Sequence, residues 1–205
     1  MNDLVSEYKR NSNKINKAIF KVINSGNFTL GKEVELFEKE FATFCSCKYA
    51  VGVGSGTSAL QLSLIACGIG PGDEVITTPN TDIPTAMTIS HVGAKIIFVD
   101  VNYDTYNIDT SQLEQNITKF TKAIVPVHMF GLPADMIEIN QIAKKYNLKI
   151  IEDAALATGA EVNGIKVGSL GDVGCFSLAP NKILGAYGDA GIITTNKKYI
   201  ANKIK

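Results

Sequence analysis

Residues 177–191 read SLAPNKILGAYGDAG. One lysine, Lys182, stands in a run that is otherwise small, apolar or glycine. The nearest charges along the chain are Asp172 upstream and Asp189 downstream. An amine in poorly hydrated surroundings gives up its proton more readily and becomes a nucleophile. Gly185, Gly188 and Gly191 would let the backbone pass close to a bound group. The stretch therefore supports two readings: a lysine that forms a Schiff base with a carbonyl compound, or a surface-loop lysine beside a glycine-rich turn.

Outward from this loop, Gly174–Ser177 and Gly191–Thr195 are short apolar runs of strand length. Upstream lie strands at Lys149–Ile151, Ala123–Val127, Lys95–Val99, Glu74–Thr77 and Tyr49–Val53. Between them come helices at Asp135–Tyr146, Pro84–His91 and Ala59–Cys67, and a polar excursion with a short helix at Asn102–Asn116. Helices are also predicted at Lys14–Ile23 and Lys32–Phe44. In the second of these Val34, Phe37, Phe41 and Phe44 recur at helical spacing. A lysine-rich helix, Lys197–Lys205, comes last. Strand and helix alternate, which predicts an α/β fold on a mainly parallel sheet, with ligands beyond the carboxyl ends of the strands.

Composition narrows the function. The 205 residues are 45% hydrophobic and 20% charged with formal net charge +0, so the chain reads as globular, without the basic footprint of a nucleic-acid binder. Arg10 is the single arginine, leaving almost no bidentate clamp for a carboxylate or diphosphate. The polar start has no apolar h-region, and no run is long enough to span a bilayer. Cys45, Cys47, Cys67 and Cys175 form no C-x-x-C pair and only His91 and His128 are histidines, so no metal site is expected and reduced cytoplasmic thiols are.

Two further groups fall at strand ends. Gly52-Val53-Gly54-Ser55-Gly56-Thr57-Ser58 joins a strand to a helix start, where unpaired amides and hydroxyls can cradle a phosphate. Thr57 stands where the dinucleotide fingerprint G-x-G-x-x-G needs glycine, and the Gly-Lys-Ser/Thr of a Walker A is absent, so neither nucleotide motif fits. The alternative is a plain turn with Ser55 or Thr57 as helix cap. Asp153 follows the apolar Ile150-Ile151. It either caps the next turn or pairs with a protonated pyridine nitrogen, which together with a Schiff-base lysine makes an electron sink. Ala155 is small enough to lie under a ring.

Taken in order, Ser55-Gly56-Thr57, Glu152-Asp153-Ala154-Ala155, Gly168-Ser169-Leu170-Gly171-Asp172 and Ser177…Lys182…Gly185…Gly188-Asp189…Gly191 resemble the DegT/DnrJ/EryC1/StrS family of sugar aminotransferases, which depend on pyridoxal phosphate. FTLGKEVELFE, GPGDEVIT, FVDV, TYNID, KAIVPVH and GLPADM fit as well, so the resemblance runs from about Asn24 onward. It implies a type I aminotransferase fold, with residues 1–205 forming an N-terminal segment and a truncated cofactor-binding large domain, the small C-terminal domain being missing. It implies that Lys182 is the catalytic, cofactor-bound lysine, that Asp153 pairs with the pyridinium, and that Gly56, Thr57 and Ser177 hold the phosphate. It further implies amino transfer from an amino-acid donor, commonly glutamate, to a nucleotide-linked keto sugar, in a cytoplasmic homodimer without metal, membrane or nucleic acid. A non-catalytic remnant or interaction subunit keeping the fold is the alternative.

The chain departs from the family at three cofactor-side positions. Asp82 stands where an aromatic usually stacks on the ring, Leu156 where glutamine is frequent, and Thr158 where histidine is common. A dehydratase branch of the family replaces the lysine with histidine; Lys182 argues against that branch.

Overall fold

A computed structural model describes residues 3–205. The elements in chain order are α1 (Leu4–Ser25), α2 (Lys32–Phe44), β1 (Tyr49–Val53), α3 (Gly56–Ala66), β2 (Glu74–Thr77), α4 (Ile83–His91), β3 (Lys95–Phe98), β4 (Thr121–Ile124), α5 (Met136–Tyr146), β5 (Lys149–Asp153), β6 (Glu161–Val162), β7 (Ile165–Lys166), β8 (Val173–Ser177), β9 (Gly191–Thr195) and α6 (Lys198–Ile204). Seven strands form one sheet in the order β1-β9-β8-β5-β4-β2-β3. β9 runs antiparallel to both its neighbours, while the pairings among β8, β5, β4, β2 and β3 are parallel. This is the α/β architecture that the alternating elements predict.

Side-chain parity sorts the two faces of the sheet. Successive strand residues point to opposite sides. Val75, Ala123, Ile151, Val173, Cys175 and Ile193 pack with Leu60 and Leu64 of α3, Ile89 of α4 and Ile200 of α6. Their neighbours Ile76, Ile124 and Ile150 pack with Met136, Ile139 and Ile142 of α5. Phe176 and Ile192 face the same way as these and meet Phe41 of α2, with the Phe41 and Phe176 rings edge to face at 5.0 Å between centroids. Strands covered on both faces read as continuous apolar runs rather than as alternation. The same parity sends Asp153 and Ser177 toward the α3–α4 side and Glu152 toward the other.

Several boundaries differ from the sequence reading. β5 continues through Glu152 and Asp153, because Val127 bridges to Asp153 and keeps the strand paired. β4 begins two residues earlier, at Thr121, and ends at Ile124. The excursion after β3 holds two single 3₁₀ turns, Thr110–Gln112 and Glu114–Asn116. The sequence reading omitted the β6–β7 hairpin, although Asn163-Gly164 marks it: both residues have positive φ, 52° and 78°, as a tight hairpin turn requires. The first helix is longer than Lys14–Ile23, running from an Asp3 cap that accepts from the Ser6 N–H to a left-handed Gly26. It has no buried residue, and Val5, Ile19, Phe20 and Ile23 are exposed along it. All four cysteines are free thiols, and among the described residues no helix is long and apolar enough to cross a membrane.

Candidate active site

The carboxyl ends of β1, β2, β5 and β8 open on one cleft of about 320 Å³. All six residues singled out in the sequence line it: Gly56, Thr57, Asp153, Ala155, Ser177 and Lys182. They come from three separate segments, the start of α3, the end of β5 and the end of β8 with the loop after it, which the sheet gathers at one edge.

Close packing builds one wall. Gly191 opens β9 and pairs with Val53 on one side and Ser177 on the other. A Cβ on Gly191 would lie 2.3 Å from the Ser55 carbonyl oxygen, and a Cβ on Gly56 would lie 2.7 Å from Ser177 Cβ. Neither position tolerates a larger residue without movement, so the glycines press the start of α3 against Ser177. Ser55 caps α3, accepting from the Ser58 N–H at 3.0 Å. The capping alternative therefore holds for Ser55. Gly56 and Thr57 occupy the first helical turn, whose N–H groups have no intrahelical acceptor and carry the positive end of the helix dipole. Ser177 Oγ accepts from the Ala179 N–H at 3.4 Å, which leaves its proton to donate.

Asp153 forms the floor. It is buried, with Oδ2 accepting from Thr85 Oγ1 at 2.7 Å and Oδ1 accepting from the Ala155 N–H at 3.2 Å. One oxygen thus caps the turn after β5, the first of the two roles open to it from the sequence. Burial pushes the carboxyl pKa above its usual value, against the pull of the Thr85 and Ala155 hydrogen bonds. A carboxylate in this position favours a cation beside it.

Lys182 sits half-buried at the mouth. Its neighbours Ile183, Leu184 and Tyr187 are exposed, so the dry surroundings that the apolar run implied are not supplied by these residues. The loop is braced by α1, where the rings of Tyr8 and Tyr187 meet edge to face, 6.1 Å between centroids. Asp82 is the exposed residue preceding α4, makes no side-chain cap and lines the cleft edge.

Two features escaped the sequence reading. Thr85 is one. The other is the role of Glu152, which the motif includes and which is buried on the opposite face of β5. Its Oε1 accepts from the Leu170 and Gly171 N–H groups at 2.9 and 2.7 Å. Its Oε2 accepts from the Gly168 N–H at 2.8 Å and meets His128 Nε2 at 3.0 Å. His128 Nδ1 accepts from the Ala134 N–H, so Nε2 holds the proton and donates to Glu152. Every lone-pair direction of a buried anion is thereby answered, and the Gly168–Gly171 turn is tied to the strand that carries Asp153.

The residues present fit pyridoxal phosphate: a phosphate cradle, a buried carboxylate for a protonated ring nitrogen, a small residue beside that carboxylate, and an amine in the same cleft. Fold and site together define the class of pyridoxal-phosphate-dependent aminotransferase folds. The model of the DegT/DnrJ/EryC1/StrS aminotransferase family matches residues 9–205, and the chain belongs to that family. It is 48% identical over 202 residues to a dTDP-3-amino-3,6-dideoxy-alpha-D-galactopyranose transaminase of Aneurinibacillus thermoaerophilus, covering 98% of this chain and 56% of that protein. The solved structure of S. venezuelae DesV in complex with a ketimine intermediate superposes with a TM-score of 0.96 at 41% identity, covering 98% of this chain and 54% of that one. The structure of NtdA from Bacillus subtilis with bound cofactor PMP gives 0.88 at 37% identity, covering 100% and 44%. The chain spans about half the length of the relatives it matches.

Proposed function

We propose that this chain is the cofactor-binding part of a pyridoxal-phosphate-dependent sugar aminotransferase, which moves an amino group from an amino-acid donor, glutamate in our reading, to a nucleotide-linked keto sugar. The observation that carries the reading is the meeting of Lys182, Asp153 and the Gly56–Thr57–Ser177 cradle in one cleft. Transaminase relatives at 48% identity and the ketimine-bound neighbour support the reaction class.

When bound, pyridoxal phosphate supplies a reactive aldehyde and a ring that draws electron density from the bond being broken. The N–H groups of Gly56 and Thr57 and the Ser177 hydroxyl hold the phosphate at one end of the cleft. Asp153 holds a proton on the ring nitrogen at the floor. Ala155, a small side chain lining the cleft, would leave room for the ring. Lys182 Nζ is the group that would hold the aldehyde carbon covalently, its oxygen being lost as water, and, when released by an amino donor, would be the base and acid that moves a proton at the reacting carbon. Two fixed ends keep the ring in register with that amine.

A homodimer belongs to the same proposal, supported by the exposed apolar residues of α1. A reducing compartment such as the cytoplasm accords with the four free thiols.

The test is a titration with pyridoxal phosphate, followed by visible absorbance, in the wild-type chain and Lys182→Ala. A saturable band in the wild type that is missing from the variant is expected. A band of equal size in both would overturn the assignment of Lys182.

A further inference from the structure

The start of α4 and the residues just before it deliver a chain of hydroxyls to the cleft floor. Thr85 is 1% exposed, and its Oγ1 donates to Asp153 Oδ2 at 2.7 Å. Thr81, four residues earlier and half-buried, places its Oγ1 2.7 Å from Thr85 Oγ1. A hydroxyl has one proton. Since that of Thr85 goes to the carboxylate, the contact between the threonines is made by the proton of Thr81. The relay runs Thr81 to Thr85 to Asp153, and each link polarises the next.

Thr85 is itself fixed. Its N–H donates to the Asp82 carbonyl, and its carbonyl accepts from Thr88 Oγ1 at 3.2 Å. The Ala155 N–H holds the other carboxylate oxygen, so Asp153 is gripped from α4 and from the turn after β5. We propose that Thr85, backed by Thr81, is a positioning residue that keeps Asp153 ionised and aimed into the cleft, so that it holds the proton on the cofactor's ring nitrogen. The inference rests on the cofactor reading above and adds two residues to it. Burial works against a charged Asp153, and the Thr85 hydrogen bond is the strongest influence restoring it. Lys182, His128, Cys175, Asp82 and Asp189 are the other titratable groups around Asp153 and its cleft. None of them is changed by substitution at Thr85.

The experiment uses pyridoxal phosphate labelled with ¹⁵N in the ring, bound to the wild-type chain and to Thr85→Val, Thr85→Ser and Thr81→Val. Valine preserves the shape of threonine and removes the donor; serine keeps it. Circular dichroism confirms that each variant is folded. In the wild type and Thr85→Ser the nitrogen resonates as a protonated pyridinium. In Thr85→Val it moves to the unprotonated position, and the dissociation constant rises about tenfold or more, as for loss of a hydrogen bond to a charged group. Thr81→Val weakens binding by less than Thr85→Val. A Thr85→Val nitrogen that stays protonated, or a Thr85→Ser variant that behaves like valine, overturns the inference while leaving the cofactor site standing. A wild-type chain that binds no cofactor overturns both.

Discussion

Gly56 tests the geometry of the cradle most sharply. An alanine Cβ there would lie 2.7 Å from Ser177 Cβ and 3.1 Å from Ser177 Cα. Comfortable carbon–carbon contact begins at about 3.5 Å, so the overlap approaches 1 Å and the neighbour is partly backbone. Overpacking of this kind costs about 1–3 kcal/mol. Alanine recovers about 1 kcal/mol of helix propensity, which leaves a net loss of up to about 2 kcal/mol. For a chain of this size the melting temperature then falls by up to roughly 8 °C. The relief of the clash has to move Ser177 or the start of α3, both part of the cradle, so affinity for pyridoxal phosphate falls about tenfold or more even where stability is largely recovered. Gly54→Ala is the control, since a Cβ there meets nothing within 4 Å; it should stay within about 0.5 kcal/mol of wild type. Calorimetry and a cofactor titration on both variants make the comparison. A Gly56→Ala chain indistinguishable from Gly54→Ala in both measurements would refute the close-packed cradle.

Two other predictions concern Asp153 and the cysteines, of which Cys45 and Cys175 are buried and Cys47 and Cys67 partly so. Asp153 has its folded-state pKa raised by burial, so its charged form opposes folding; that cost is absent below the unfolded value near 3.8, grows as pH rises through the raised folded value, and is full above it. In the cofactor-free chain Asp153→Asn should therefore be at least as stable as wild type at pH 7, with its relative advantage shrinking toward pH 4; an advantage that grows toward acid pH would contradict this. The thiols of Cys47 and Cys67 are pushed up to about 11 and that of Cys45 to about 12, in each case chiefly by burial. The native chain should react slowly with a disulfide reagent at neutral pH and yield four thiols only when unfolded; rapid stoichiometric labelling of the native chain would count against the packing around them.

Much of this site could be read in the sequence because its parts sit where strands end. Ile150-Ile151-Glu152-Asp153 is apolar until the carboxyl edge and then acidic, and period two alone sends Asp153 toward α3 and α4 and Glu152 away from them. The glycines flagged the cradle because only glycine lets Ser55, Gly56, Ser177 and Gly191 approach so closely. Thr85 was hidden for the opposite reason. A threonine in a helix first turn carries no local mark of a carboxylate 68 residues away, and its role follows from the tertiary position of α4 beside β5. Thr81 lies before the helix start, so no helical spacing ties it to Thr85 in the sequence. The Asn163-Gly164 turn is marked in the sequence, but its flanking strands are only two residues each and carry no alternation to read. The apolar run around Lys182 misled in one respect: Ile183, Leu184 and Tyr187 face outward, so dryness at that amine is not supplied by its own loop.

The most direct measurement is chemical. The purified chain is loaded with pyridoxal phosphate, reduced with borohydride, digested, and its modified lysine located by mass spectrometry. One label per chain on Lys182 is the expected result. Label scattered over surface lysines, or concentrated on a different one, would contradict the assignment of this cleft as the cofactor site.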